Sequence, residues 1–316
     1  MGTATGSLQN WNTIVVATDL TGTSEAAVAL GRQLATAFQS KVVLAHGLDP
    51  AAYANFQGAP RPIAADLSAE AQAALDKLSR QFLSEGIPSN SVVRQETVTR
   101  LLLDIIRQHK AGLVILGTRG ASGAGPLLVG TVAEELVRQS PCPVLAVAAD
   151  TLVEGRVNLT GGQILVPVEN NPASIAAIST ARALAEKFGL GLLLLHARTA
   201  SEAAAHLNPC AGTVNQIQFP QGSTRVPVRC LVKDGQPAEV IQQVAAEYPV
   251  SMIVLGVNRE SRSGGIEADR LHYGTAFSVL AAARVPVLCV PPSGLEKESV
   301  LASALTREAD EPCSCK

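Results

Sequence analysis

Aromatic side chains are scarce in this chain: Phe, Tyr and Trp make up 3% of 316 residues, with a single tryptophan. Hydrophobic residues nevertheless reach 47%, so the core must be assembled from Ala, Val, Leu and Ile. That mixture suits parallel strands buried beneath Ala-rich helices. Charge is sparse as well, at 16% of residues with a formal net charge of −2. This leaves no basic surplus for a nucleic-acid backbone and no like-charged block for a polyelectrolyte tail. No apolar run approaches the roughly 20 residues needed to cross a bilayer. The opening MGTATGSLQN has neither a basic nor an apolar signal region. No nucleic acid and no membrane are expected as partners, and the expected location is cytoplasmic.

The six cysteines, at 142, 210, 230, 289, 313 and 315, show no CxxC spacing and no histidine at metal-ligand spacing. No metal ligand is assigned. Cys142, Cys230 and Cys289 lie in or beside aliphatic runs and read as small buried hydrophobes. Cys313 and Cys315 form a CxC in a polar C-terminal stretch. It reads first as a disordered tail, with soft-metal binding or disulfide cycling as the alternatives.

An internal repeat is present. The segment from Ile14, IVVATDLTGTSEAAVALGRQLATAFQSKVVLAHG, aligns without gaps on the segment from Ile164, ILVPVENNPASIAAISTARALAEKFGLGLLLLHA. Asp19 then meets Glu169, Ser24 meets Ser174, Phe38 meets Phe188 and His46 meets His196. PVLAV from Pro143 parallels PVLCV from Pro286 in the same way. In each copy a short aliphatic strand (Thr13–Ala17; Gln163–Val166) leads through a polar turn into a helix. A second strand follows (Lys41–Ala45; Gly191–Leu195), and then a variable stretch, which in the first copy carries a helix over Leu67–Glu85. A third strand (Ser91–Glu96; Val226–Val232), a helix, a fourth strand, a Gly-bearing loop, a helix and a fifth strand complete the unit. This β-α-β order demands right-handed crossovers and a parallel sheet. The expected organisation is an N-terminal tail (1–12), a first domain (13–149), a polar linker (150–161), a second domain (162–293) and a C-terminal tail (294–316).

After the fourth strand of the first copy come Gly117, Thr118, Arg119 and Gly120, then nine residues, then Gly130 and Thr131 at the start of VAEELVRQ. Glycines permit positive φ and close backbone approach to a phosphate. Successive amides make an anion-binding concavity, and the helix N-terminus adds its own N–H groups and dipole. Such a site falls at the carboxyl ends of the strands. In the second copy Arg259 stands where the second glycine belongs. The interval to Gly274 and Thr275 is longer, and Glu169 replaces the aspartate, so weak or no binding of such a phosphate ligand is expected there. The alternative is a different anion site at Arg259 and Arg262. Histidines 46 and 196 have no nucleophile paired to them in sequence, and a locally hydrogen-bonded strand end is the simpler reading.

The spacing G-x2-G-x9-G-[ST], followed by a helix and a PVLVV-like strand, resembles the nucleotide-binding signature of the universal stress protein family. It is neither a Walker loop nor GxGxxG. The resemblance implies two Rossmann-like units of the adenine nucleotide alpha hydrolase type. Each is an open, parallel, five-stranded sheet with helices on both faces, and the two form an intrachain pseudo-dimer through their last strands. It also implies that ATP, or ADP or AMP, lies across the strand ends with Mg2+. Carried over position by position, Ala17, Thr18 and Asp19 follow the first strand, with Asp19 near the ribose or metal. Gly47 meets the adenine, and Gly117, Arg119, Gly120, Gly130, Thr131 and Val132 surround the phosphates. As a turn residue, Asp19 also has a purely structural reading. The family implies a stress-response or signalling module with at most slow ATP hydrolysis, an unknown protein partner and room for a homo-oligomer. A partner-binding protein without nucleotide and an ATP pyrophosphatase-like enzyme are the alternatives. The paired glycines of the latter's phosphate loop are missing from ATDLTGTSE.

Overall fold

The structure is a computed structural model. It describes residues 11–50, 62–118, 129–169, 171–198, 226–257 and 266–292, of which the side chains of 62–65 and 266–273 are left aside. The first copy runs β1 (Thr13–Ala17), α1 (Glu25–Phe38), β2 (Lys41–Gly47), α2 (Pro62–Ser84), β3 (Ser89–Arg94), α3 (Val98–His109), β4 (Leu113–Gly117), α4 (Thr131–Gln139) and β5 (Val144–Val147). A short hairpin, β6 (Leu152–Val153) and β7 (Arg156–Val157), joins it to the second copy. That copy runs β8 (Gln163–Pro167), α5 (Pro172–Phe188), β9 (Gly191–Arg198), β10 (Val228–Asp234), α6 (Pro237–Glu247), β11 (Val250–Gly256), α7 (Ile266–Ala282) and β12 (Val287–Val290).

Within each copy the strands are parallel, in the order β3-β2-β1-β4-β5 and β10-β9-β8-β11-β12. Strands this apolar are buried on both faces, so successive side chains serve two separate cores. Ile14 and Val16 point to one side, with α1, α2 and α5; Val15 and Ala17 point to the other, with α3, α4, α6 and α7. Each core contains residues from both copies.

The copies fuse into a single ten-stranded sheet because β5 and β12 pair antiparallel. Leu145 faces Leu288, its own counterpart in PVLAV and PVLCV, and both are fully buried. A residue opposed to its equivalent marks a local two-fold axis, and the contact is isologous within one chain. Several aromatic residues lie around the same axis. On one face the rings of Phe38 and Phe188, another equivalent pair, meet edge-on at 6.1 Å, with Trp11 5.1 Å from Phe38. On the other face the Arg138 guanidinium lies 4.8 Å from the Phe277 ring centroid.

Several boundaries differ from the sequence reading. The third strands occupy Ser89–Arg94 and Val228–Asp234, because pairing with the neighbouring strand sets their extent rather than their own apolar content. The helix expected over Leu67–Glu85 starts earlier, at Pro62, where proline fits the first turn. Trp11, placed by sequence in the N-terminal tail, is buried, and the Ser40 hydroxyl donates to its carbonyl. The stretch 150–161 is more than a polar linker. Glu154 and Gly155 both take positive φ, which suits a tight hairpin turn, while Val157 and Leu159 are buried in the core. The Gln33 amide on α1 donates to the Val157 carbonyl at 3.1 Å and accepts its N–H at 3.3 Å. Cys142 and Cys289 are buried as expected, and burial pushes the Cys289 thiol up to about 12. Cys230 is a correction. It is exposed, because β10 is an edge strand whose Val228 and Val232 share the same open face.

Truncating either Leu145 or Leu288 to Ala should cost about 2–5 kcal/mol, the usual range for a fully buried leucine. Because the two side chains oppose one another, the double variant should cost less than the sum of the singles. Denaturant midpoints measure this, and strictly additive losses would contradict the proposed junction.

Candidate functional site

Parallel pairing brings the carboxyl ends of β1, β2 and β4 to one edge of the first copy, where the β1–α1 turn and the start of α4 meet. A cavity of about 180 Å³ opens there. Ala17, Thr18, Asp19, Gly47, Gly117, Gly130, Thr131 and Val132 all line it, joined by His46 and Val98. Of the ten residues expected at the site, these eight are brought together. Arg119 and Gly120 lie outside the described residues, as do Arg259, Arg262, Cys210, Cys313 and Cys315.

The β1–α1 turn is held by hydroxyl groups. Thr18 and Ser24 share a hydrogen bond of 2.8 Å between their side chains, and the Leu20 N–H donates to the Thr18 hydroxyl oxygen at 3.0 Å. Leu20 itself sits at φ 60°, a left-handed conformation that costs a non-glycine residue roughly 1 kcal/mol. The Asp19 carboxylate accepts the Thr21 N–H at 3.0 Å, the Thr21 hydroxyl at 2.8 Å and the Thr23 hydroxyl at 2.6 Å. Partial burial pushes this carboxyl up, but the Thr23, Ser24 and Thr21 donors together outweigh it and hold the group below its usual range. Asp19 therefore organises its own turn while it lines the cavity.

His46 and His196 make the same contact in the two copies. Each ring Nδ1 lies against the carbonyl of the first residue after the opening strand of its copy, Thr18 at 2.8 Å and Val168 at 3.0 Å. A carbonyl only accepts, so Nδ1 carries the proton and donates. The histidines thus tie β2 to β1 and β9 to β8, the local role expected of them.

Gly130 is the N-cap of α4 with φ −64° and ψ 143°, and no side chain caps the helix. Its N–H donates to the Thr118 carbonyl at 2.8 Å, which folds the loop end back over β4. The positive φ expected of the loop glycines is absent at Gly130, and Gly117 is extended within β4. Neither position is a left-handed turn. The first amides of α4 face the cavity without a side-chain acceptor, the arrangement in which a helix N-terminus receives an anion. Gly47 has a packing reason that the sequence did not reveal. A Cβ there would stand 3.0 Å from a Val98 methyl and 3.1 Å from its Cα.

The second copy has a cavity at the equivalent edge, about 210 Å³, but its surroundings differ. Gly256 is retained because a Cβ would lie 2.3 Å from the Ala173 carbonyl oxygen, a steric requirement independent of any phosphate. Gly274, aligned with Gly130, falls inside α7, which already begins at Ile266. The extra residues of this copy extend the helix backward past the point where α4 starts. At the head of α5, Asn171 and Ser174 cap the helix themselves: the Asn171 side chain accepts the Ser174 N–H at 2.8 Å, and the Ser174 hydroxyl accepts the Glu169 N–H at 2.9 Å.

The profile of the Universal stress protein family matches residues 10–148 and again 162–291. The chain belongs to the universal stress protein family. A universal stress protein of Methanocaldococcus jannaschii is 26% identical over 136 residues, covering 42% of this chain and 80% of the relative. One from Mycolicibacterium smegmatis is 27% identical over 189 residues, 58% of this chain and 63% of the relative. Among solved structures, a universal stress protein from Archaeoglobus fulgidus superposes with a TM-score of 0.68 at 17% identity, covering 90% of this chain and 98% of its own. The tandem architecture is therefore shared along nearly the whole length. Among the described residues, no helix of this universal stress protein is long and apolar enough to cross a membrane.

The Asp19 hydrogen bonds carry a pH signature. A carboxyl held low in the folded protein adds stability that is complete above its unfolded value near 3.9 and fades as pH falls through the lower folded value. Asp19→Asn should therefore lower the melting temperature at pH 7, with the difference closing as the pH drops below about 4. Melting curves at pH 7 and pH 3 test this; a gap that persists unchanged at pH 3 would remove the role assigned to the charge.

Proposed function

We propose that this universal stress protein binds an adenine nucleotide in its first copy and acts as a stress-response or signalling module. One observation carries the reading: the uncapped amides at the start of α4, Thr131–Ala133, converge with the β1 turn and Gly47 on a single cavity. The arrangement is asymmetric in chemistry. Main-chain N–H groups and the Thr131 hydroxyl lie at one end, suited to phosphate oxygens. Val98 and the Gly47 backbone, in contact with one another on the β2 side, are suited to the flat face and edge of a base. ATP, ADP and AMP share both halves and all remain within this reading.

The residues fit Mg2+ only in a secondary way. The Asp19 oxygens are engaged by threonine donors, so a metal that accompanied the phosphates would be held chiefly by the nucleotide. Bound Mg2+ supplies phosphate charge neutralisation. Thr131 and the α4 amides orient the phosphate chain, and Thr18 and Asp19 shape the wall beside it. Catalysis is not assigned to any side chain. A homo-oligomer, a protein partner and a cytoplasmic location are compatible with this reading, as are the domain limits given above.

Gly130 has backbone angles that any residue adopts, so Gly130→Val should fold, yet its branched side chain would occupy the space for a phosphate. Wild-type protein should show a rise in melting temperature with 1 mM Mg-ATP, and Gly130→Val should show none. Native mass spectrometry of gently purified protein should reveal a co-purifying adenine nucleotide. A shift that survives Gly130→Val would overturn the assignment of the site.

A further inference from the structure

The hairpin that joins the two copies stands beside a groove of about 370 Å³, which runs along α1 between α2 and the hairpin. Leu20, Val28, Ala29, Leu78 and Leu152 give it apolar walls. It meets the nucleotide cavity only at Thr18 and Ser24, so the β1–α1 turn separates the two. Glu25 stands at one end of the groove and Arg32 at the other, two helical turns or roughly 10 Å apart. The Arg32 guanidinium is already engaged, by Glu85 at 3.2 Å and by the Phe82 ring, whose centroid lies 4.9 Å away. Glu25 is exposed and forms no ion pair among the described residues. The groove therefore has one free charge, and it is negative.

The hairpin carries the matching features. Leu152 pairs with Val157 and Val153 with Arg156, and directly opposed partners share a face. Val157 is buried, so its pair faces inward and Val153 and Arg156 face outward. Val153 is 65% exposed, the most exposed large hydrophobic side chain among the described residues. Its position is fixed from below, because Gln33 holds the Val157 backbone through two hydrogen bonds and Leu159 is buried. An apolar side chain held in place this way loses little freedom when it is covered. Arg156 is exposed and, like Glu25, forms no ion pair among the described residues. We propose that a second molecule of this chain fills the groove. Val153 of each molecule enters the groove of the other, with Arg156 of each against Glu25 of the other. In that register Glu154 falls toward Arg32 and away from Glu25. Hairpin and groove adjoin, so one two-fold axis satisfies both contacts and closes the assembly at a dimer. This does not rest on nucleotide binding by the first copy.

Sedimentation velocity of the full chain, without nucleotide, tests the interface. One apolar side chain and one exposed ion pair per groove make a small contact, so wild type should pass from monomer to dimer with a Kd of roughly 10–100 μM. It should stop at the dimer. Val153→Asp, an exposed change, should stay monomeric up to about 1 mM. Arg156→Glu should weaken the dimer on the order of tenfold, since the two-fold axis counts each exposed pair twice. Adding Glu25→Arg to that variant should restore association. Val153→Asp and Arg156→Glu should keep the wild-type melting temperature when dilute, which separates lost association from lost folding. Wild type that stays monomeric to about 1 mM would overturn the proposal, as would a dimer that survives Val153→Asp. So would growth past the dimer, or an Arg156→Glu defect that Glu25→Arg does not reverse.

Discussion

The antiparallel pairing of β5 with β12 is the contact on which the rest of the molecule depends. Each copy is an all-parallel half-sheet ending in an apolar strand, and such a strand left at an edge is a template for uncontrolled pairing. Opposing Leu145 to Leu288 removes both edges at once and makes one sheet with two continuous cores. Several of the scarce aromatic residues pack near the same axis, Phe38 against Phe188 on one face and Phe277 under Arg138 on the other. Because the pairing is antiparallel while each half is parallel, the carboxyl ends of the two sets of strands point in opposite directions. The two cavities therefore open at opposite edges of one sheet and share no lining residue.

Separation frees each cavity to follow its own chemistry. In the first copy, Asp19 is consumed by threonines and the uncapped helix α4 presents its amides. In the second, the capping groups are internal to α5, and α7 runs through the position where the phosphate loop would end. A duplicated unit with a conserved frame and divergent strand ends is what open α/β sheets permit, since the sheet carries the stability and the connections carry the site.

The frame was legible in the sequence because it rests on long, redundant signals. The ungapped repeat, the aliphatic runs and the β-α-β order fixed the parallel halves, and eight of the site residues do converge. What escaped the reading has local physical causes. The third strands are edge strands with half-polar sequences, SNSVVR and VRCLVKD, so their limits follow from pairing partners remote in sequence. Cys230 resembles its buried namesakes until the strand order places it at the margin. The hairpin at 152–157 carries Glu-Gly in its turn, a weaker signal than Asn-Gly, and its burial depends on Gln33, 124 residues away. The glycines misled in another way. Glycine at 47 and at 256 answers to steric contact with Val98 and Ala173, which neither the adenine contact expected at Gly47 nor the phosphate-loop pattern at Gly256 distinguishes from a ligand's demand.

The central claim is that a symmetric frame holds two unlike sites, with nucleotide confined to the first. Equilibrium dialysis of the full chain against radiolabelled ATP with Mg2+ measures this as a stoichiometry. The account predicts saturation at one nucleotide per chain; saturation at two, or no binding at all, would contradict it.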